Sequence, residues 1–182
     1  VHRKLGDIRQ IIEQADLSES VKQRAVGVFV RLAEAEANVH GTTIEEIHFH
    51  EVGGLDAIVD IVGSVLGLAE LNIETLYSSP PTIGEGWTES MHGPIPLPAP
   101  ATLELLAAVS APIRPASANA TGEFLTPTGA ALLAELAIFE QPAMRLRRIA
   151  TGAGSRETKK PNIARLWLGE HMECGPMIQI ET

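Results

Sequence analysis

The chain has 182 residues, 45% of them hydrophobic, which is enough for one domain with a substantial core and a small appendage. Its net charge of -9 argues against nucleic acid or an anionic membrane as the main partner, although a local basic patch can still bind a phosphate. The single cysteine, Cys174, excludes a disulfide framework and a thiolate-rich zinc site, and it is typical of a reducing, cytoplasmic compartment. No apolar run reaches the ~18 residues of a membrane span.

Residues 1–41 predict a helical hairpin that packs on the core. Apolar residues at helical spacing indicate a short helix over residues 3–15, and Ser18 can cap a longer helix that ends near His40. The charged residues of the longer helix, including Arg31, are expected on its solvated side.

The segment from Ile47 to Val52 predicts a strand with a metal site. Side chains alternate along a strand, so His48 and His50 share one face, with Cα atoms ~7 Å apart. Two such imidazoles can converge on one zinc, copper, iron or nickel ion. The plainer alternative is that both histidines form the exposed polar face of an edge strand. Two ligands are not a complete site, so a third is needed.

Residues 55–72 predict a helix that is apolar nearly all round, with Asp56, Asp60 and Ser64 in one polar stripe. The stripe starts at the helix end nearest the histidine strand, where it can supply oxygen ligands, orient a ligand histidine or hold hydrated magnesium. Asp56 is equally an ordinary first-turn acid that the helix dipole favours.

The order of the elements predicts the fold class. A strand over residues 75–79 follows the helix, and strand, helix, strand is the pattern of a βαβ crossover. We therefore expect an α/β core over residues 42–169, with a mixed, mostly parallel sheet and flanking helices. Residues 170–182 show no clear period and are predicted to be a linker or tail.

Residues 80–100 form a connection rich in proline and glycine, and so long a connection inside a domain is usually functional. His92 within it is a candidate for the third metal ligand. An ordinary turn histidine is the alternative. Pro100 then opens a helix that runs to Ala108.

Two segments are candidates for binding a phosphate. Thr126 and Pro127 make a good helix start, where exposed amides near Thr128 and Gly129 can hold a phosphate or carboxylate. The alternative is an ordinary capped helix. Arg156 offers a fork-shaped cation in a glycine-rich turn between predicted strands, or it lies in an ordinary hairpin connection.

Seven stretches, in order along the chain, carry a family resemblance. They are residues 31–36 (RLAEAE), 48–53 (HFHEVG), 56–63 (DAIVDIVG), 77–80 (YSSP), 92–102 (HGPIPLPAPAT), 126–130 (TPTGA) and 152–156 (GAGSR). Together they resemble the nickel-insertion protein of the lactate racemase maturation system, the LarC family, over nearly the whole chain.

The resemblance implies a nickel chelatase of the lyase class. Members insert nickel into pyridinium-3,5-bisthiocarboxylic acid mononucleotide and so form the nickel-pincer cofactor. They use CTP, with Mg2+ or Mn2+ expected beside it, and the recipient is lactate racemase or a related nickel-pincer enzyme. For this chemistry we assign Ni2+ binding to His48, His50, His92 and Asp60, catalysis to Glu51 and Asp56, and phosphate binding to Thr126, Thr128, Gly129 and Arg156.

The chain also departs from the family. An N-terminal segment with an Asp-Cys-x-Ser-Gly-type motif is absent, and the C-terminal domain to which the resemblance assigns CTP is expected just past Thr182. We therefore expect a central segment that can bind nickel or substrate without completing turnover. Gly54 stands where other members have a larger residue, which affects no assigned role.

Two other functions are open at this point. A nickel-binding chaperone module would hold nickel through the histidines without altering a nucleotide. A magnesium-dependent phosphohydrolase or nucleotide-binding domain would hold magnesium through Asp56 and Asp60. Metal preference separates them, because imidazole ligands favour nickel and oxygen ligands favour magnesium. The sequence does not determine the oligomeric state, and a homo-oligomer is compatible with it.

Overall fold

The structure is a computed structural model that describes residues 3–49, 54–91, 93–116, 121–154 and 163–172. These residues form both helices and strands, so the predicted α/β class is confirmed. The helices are α1 Leu5–Gln14, α2 Glu19–His40, α3 Leu55–Glu70, α4 Pro100–Ala108 and α5 Pro127–Leu136. The strands are β1 Leu76–Tyr77, β2 Thr82–Ile83, β3 Gly86–Ser90, β4 Gly93–Leu97, β5 Arg114–Pro115, β6 Ala137–Ile138, β7 Met144–Ala153 and β8 Ile163–His171. None of the described helices has the length and apolar character that crossing a membrane requires.

Local capping signals set the helix ends close to where they were predicted. The Ser18 hydroxyl accepts a hydrogen bond from the amide of Val21, at 3.4 Å, and begins α2. Gly41 ends that helix in the left-handed conformation, with φ of 63°, which glycine adopts without steric cost. The helix predicted over residues 55–72 is α3, which ends at Glu70.

The centre of the hydrophobic core is α2, which contacts each of the other four described helices. Phe29 and Leu32 of α2 are fully buried. The ring of Phe29 meets that of Phe49 edge to face, with the centroids 6.3 Å apart. The same cluster takes in buried apolar residues from the other elements, among them Ile8, Ile61, Val65, Leu105 and Ala130.

The strands pair as four separate two-stranded sheets in the described part of the chain. Two pairs, β1 with β6 and β2 with β5, are parallel and only two residues long. The other two, β3 with β4 and β7 with β8, are antiparallel and longer. The βαβ crossover predicted around α3 is not formed by the described residues. Phe49 instead makes an isolated antiparallel bridge with Arg3, and β1 takes its partner from beyond α5.

The chain divides into two compact units, Val1–Phe139 and Glu140–Thr182. Of the described elements, the first unit contains the five helices and β1 to β6, and the second contains β7 and β8. This division does not coincide with the boundaries predicted after residues 41 and 169, which stay predictions. No boundary follows residue 41 in this division because α2, which belongs to the predicted N-terminal hairpin, packs on α3, α4 and α5 and shares one core with them.

The charge pattern predicted that Arg31 lies on the solvated side of α2, but its side chain contacts α5 instead. Its Nε donates a hydrogen bond to Glu135 Oε2 of α5, at 2.9 Å, and the two side chains are 38% and 28% exposed. Gly27 lies under the same carboxylate, and a Cβ there would come within 2.6 Å of Glu135 Oε1. The ion pair therefore links the central helix to α5.

Replacing Leu32 by alanine tests the importance of the α2 core. Leu32 is fully buried, so we expect Leu32→Ala to lower the free energy of unfolding by about 2–5 kcal/mol. Leu103→Ala is the matched control, because this side chain is also helical but 42% exposed, and it should cost clearly less. Urea unfolding followed by circular dichroism measures both. Equal decreases in the free energy of unfolding of the two variants would contradict the central role of α2.

Candidate functional site

His48 lies between two buried anchors and is itself exposed. Ile47 is 4% exposed and Phe49 is 1% exposed, and the amide of Phe49 donates to the carbonyl oxygen of Arg3 at 3.1 Å. The alternation predicted for this segment is confirmed at residues 47–49, where the imidazole of His48 faces solvent. His50 and Glu51 lie outside the described residues, so their assigned roles stay predictions.

The polar stripe predicted on α3 is confirmed as a solvent-facing surface. Asp56, Asp60 and Ser64 are exposed, whereas buried residues such as Ile61 face the core from the opposite side of the helix. The Asp56 carboxylate folds back over Gly54, so that a Cβ at Gly54 would collide with Asp56 Oδ1. Asp56 therefore points toward the helix N-terminus, which the His48 segment precedes in the chain.

A complete metal site is not formed within the described residues. There, no three or more side chains of histidine, cysteine, aspartate or glutamate come together as a metal would require. Of the predicted metal ligands, His48 and Asp60 are described and exposed, whereas His50 and His92 lie outside the described residues. These two exposed donors can contribute ligands only together with others.

The start of α5 has the geometry of a capped helix. Thr126 Oγ1 accepts a hydrogen bond from the amide of Gly129, at 3.2 Å, and Pro127 occupies the first helical position. The cap satisfies one of the amides that an anion would use. The amide of Thr128 has no hydrogen-bond acceptor in the described part of the chain. The second predicted phosphate ligand, Arg156, lies outside that part.

A close backbone approach positions the segment before α5, and the sequence analysis missed it. The amide of Gly122 donates to the carbonyl oxygen of Glu85, at 2.9 Å. Any Cβ on Gly84 would collide with the Gly122 carbonyl oxygen, so glycine is required there. Gly84 and Gly86, on either side of Glu85, were a signal in the sequence that another segment approaches closely. The approaching residue, Gly122, lies too far along the chain to be identified from that signal. This contact anchors the approach to Thr126 against the end of β2.

A cavity of about 310 Å3 lies between α2, α4 and the segment after α2. It is lined by one cation, Arg31, and by two carboxylates, Glu34 and Glu104. Because Arg31 Nε is already bound to Glu135, the lining carries a surplus of negative charge. This cavity is therefore poorly suited to a phosphate group, which leaves the start of α5 as the better candidate within the described residues.

The family model and three relatives that match this chain are all named for nickel insertion. A family model described as nickel insertion protein matches residues 1–182. A relative from Desulfitobacterium hafniense, named pyridinium-3,5-bisthiocarboxylic acid mononucleotide nickel insertion protein, is 48% identical over 174 residues, 93% of this chain and 42% of the relative. A relative from Roseiflexus castenholzii, also named for nickel insertion, is 54% identical over 93% of this chain and 42% of its own length. Another from Dictyoglomus thermophilum, named in the same way, is 42% identical over 94% of this chain and 44% of its own length.

No solved structure matches the chain. The chain spans less than half the length of the curated relatives it matches. The match to the family model nevertheless runs from the first residue to the last, and it includes the exposed His48 and the acidic face of α3. The chain therefore belongs to the nickel insertion protein family.

Proposed function

We propose that this chain takes part in inserting Ni2+ into pyridinium-3,5-bisthiocarboxylic acid mononucleotide, the compound for which its Desulfitobacterium relative is named. The observation that carries the proposal is His48, held outward between two buried residues and followed along the chain by the exposed acids of α3. In the intact protein this activity is that of a cytoplasmic nickel chelatase of the lyase class. Lactate racemase or a related nickel-pincer enzyme receives the product.

Nickel is the metal cargo, and this chain's imidazoles are its first ligands. His48 binds it together with His50 and His92, because neutral imidazole suits nickel better than magnesium. Asp60 adds an oxygen ligand from α3. A site that includes exposed donors such as His48 and Asp60 can release its metal, as a transfer reaction requires. The two thiocarboxylates of the mononucleotide then replace the protein ligands with softer sulfur.

The two remaining carboxylates handle protons during the transfer. The two thiocarboxylates are already ionised near neutral pH, so their binding of nickel releases no proton. Closing the pincer would also bond the pyridinium carbon between them to nickel, and that carbon would have to lose its proton. Glu51 and Asp56 would accept this proton as general bases. Asp56 is suited to this role because its carboxylate folds back toward the helix N-terminus that follows the histidine segment.

Phosphate groups of the mononucleotide or of CTP bind at the start of α5. An anion there can accept hydrogen bonds from the hydroxyls of Thr126 and Thr128 and from the amide of Thr128, which has no acceptor among the described residues. The helix dipole also favours negative charge at this position. Gly129 allows close approach of the phosphate, and Arg156 adds the cation. When bound, CTP with Mg2+ or Mn2+ would supply the chemical driving force for insertion in the intact protein.

A magnesium-dependent phosphohydrolase or nucleotide-binding domain is the second candidate. It is favoured by the outward face of α3, where Asp56, Asp60 and Ser64 offer only oxygen donors. Oxygen ligands prefer magnesium. Competition between nickel and magnesium for the purified chain separates the two functions. A third option, a nickel chaperone without turnover, binds nickel but not the mononucleotide.

His48→Ala tests the nickel site. We expect the substitution to weaken nickel binding to the metal-free chain at least about tenfold, because loss of a ligand should cost no less than loss of a residue that supports one. Isothermal titration calorimetry measures the affinity. The matched control is His40→Ala, which removes an exposed histidine paired with Glu36 at the end of α2.

Both variants are first checked for folding by thermal melts. Equal nickel affinities of His48→Ala and His40→Ala would contradict the assignment of the metal to the histidine segment. Preference of the parent chain for magnesium over nickel would favour the phosphohydrolase instead.

Asp56→Asn separates the proton-transfer role from metal binding. The amide is nearly isosteric but cannot accept the proton, so nickel transfer to the mononucleotide should slow by about a hundredfold or more while nickel affinity stays close to that of the parent. Transfer is followed in the intact protein by the absorbance of the nickel complex. Glu70→Gln at the far end of α3 is the control and should transfer at the parent rate. A normal rate for Asp56→Asn would exclude this carboxylate as the base.

A further inference from the structure

The β3–β4 hairpin displays a tryptophan whose ring is open to a ligand. Trp87, in β3, is 71% exposed, more than any other large apolar side chain described in Val1–Phe139. Among the described residues its indole N–H has no acceptor, and neither a cation nor a second ring lies against it. The other tryptophan, Trp167, has Arg165 over its ring, 5.6 Å from the centroid. Of these two indoles, only that of Trp87 has a face without an internal partner.

The pairing of β3 with β4 holds Trp87 outward. Trp87 lies opposite Pro96, and these two side chains share the exposed face of the hairpin. Ile95 and Leu97 lie on the other face, where Leu97 is buried. Because side chains alternate along a strand, Trp87 cannot turn inward unless the register of β3 slips by one residue and breaks all five paired positions. Exposure of the indole is thus set by the backbone and not by the choice of one rotamer.

The hairpin of β3 and β4 also adjoins two parts of the proposed site. Just before β3, the carbonyl oxygen of Glu85 accepts the amide of Gly122, which fixes the strand beside the segment that leads to α5. At the other end of β3, the Ser90 hydroxyl donates to the carbonyl oxygen of Gly93, at 2.7 Å. These two residues flank His92 in the chain. Along the chain, β3 therefore runs from the approach to the proposed phosphate site toward a proposed nickel ligand.

A pyridinium ring matches the chemistry of this surface. The ring is planar and positively charged, and the face of an indole attracts a cation more strongly than that of any other aromatic side chain. Residues 82–97 contain no lysine or arginine, so no cation of the hairpin competes for the indole. The two thiocarboxylates, at positions 3 and 5, lie at the edge of the ring and leave its faces free to stack.

We propose that the indole of Trp87 stacks on the pyridinium ring of the mononucleotide and makes the site specific for a cationic ring. This inference rests on the proposed function, because its ligand is the substrate of that function. With no lysine or arginine in the hairpin, the phosphate of the same molecule binds elsewhere, at the start of α5. Contact at two points fixes the orientation of the ring, and so of the thiocarboxylates that receive the nickel.

Tryptophan fluorescence tests the contact directly, because a stacked pyridinium ring quenches indole emission by accepting an electron from the excited state. Trp167→Phe leaves Trp87 as the single tryptophan, and Trp87→Phe leaves Trp167. The mononucleotide is added together with a metal chelator, so that nickel plays no part. It should quench the emission of Trp167→Phe in a saturable manner, whereas the emission of Trp87→Phe should fall only by the light that the ligand absorbs.

Three fluorescence results would overturn the proposal. These are equal quenching of the two variants, no saturable quenching of Trp167→Phe, and saturable quenching of Trp167→Phe by CTP but not by the mononucleotide. The last result would assign the indole to the cytosine base, which also stacks on aromatic side chains but carries no positive charge.

Calorimetry measures how much the stacked ring contributes to affinity. We expect Trp87→Leu to weaken binding of the mononucleotide at least about tenfold, as loss of one aromatic stacking partner does. Trp167→Leu is the matched control and should bind like the parent chain. Reducing the ligand to its neutral dihydropyridine should remove most of the difference between the parent and Trp87→Leu, because the cation is then gone. Thermal melts check that both variants fold.

The outcomes separate this inference from the proposed function. Equal affinity of the parent and Trp87→Leu for the mononucleotide would overturn the stacking and leave the proposed function standing. An equal loss with the charged and the reduced ring would exclude the cationic ring as the partner of Trp87. Absence of binding to the parent chain would contradict the proposed function and this inference together.

Discussion

The burial of one face of α2 is the constraint on which the rest of the helical unit depends. Because Phe29 is fully buried and packs against Phe49, the segment after α2 has to return to the core at Ile47 and Phe49. His48, between them, then faces solvent. Burial of each large apolar side chain is worth about 1.5–3 kcal/mol, against about 0–1 kcal/mol for an exposed ion pair. Apolar anchors, not polar contacts, thus orient this histidine.

Features that depend on neighbouring residues were predictable from the sequence. The caps at Ser18 and Thr126 fix helix starts within their own first turns, and the alternation around His48 follows from a period of two. The exposed stripe of Asp56 and Asp60 likewise follows from a helical period whose other residues are apolar. In each case the physical cause lies within about four residues, so the pattern carries the information.

Features that depend on distant residues were not predictable in the same way. Arg31 pairs with Glu135, 104 residues away, and nothing local distinguishes it from a solvated arginine. The partner of β1 follows α5 in the chain and that of β2 follows α4, and two-residue strands have too few side chains to specify a partner by pattern. For this reason the crossover predicted around α3 is not formed by the described residues, since the order of a strand, a helix and a strand does not determine which strands pair.

The start of α5 shows why a helix N-terminus is not by itself a phosphate site. Thr126 already accepts the amide of Gly129, and such a cap stabilises a helix by about 1 kcal/mol. The attraction of an anion to the helix dipole is typically about 0.3–1 kcal/mol at an exposed position. An anion that displaced the cap would therefore gain little, whereas one that used the amide of Thr128, unpaired among the described residues, would leave the cap intact. Appreciable phosphate affinity thus requires a further cation, the role that we propose for Arg156.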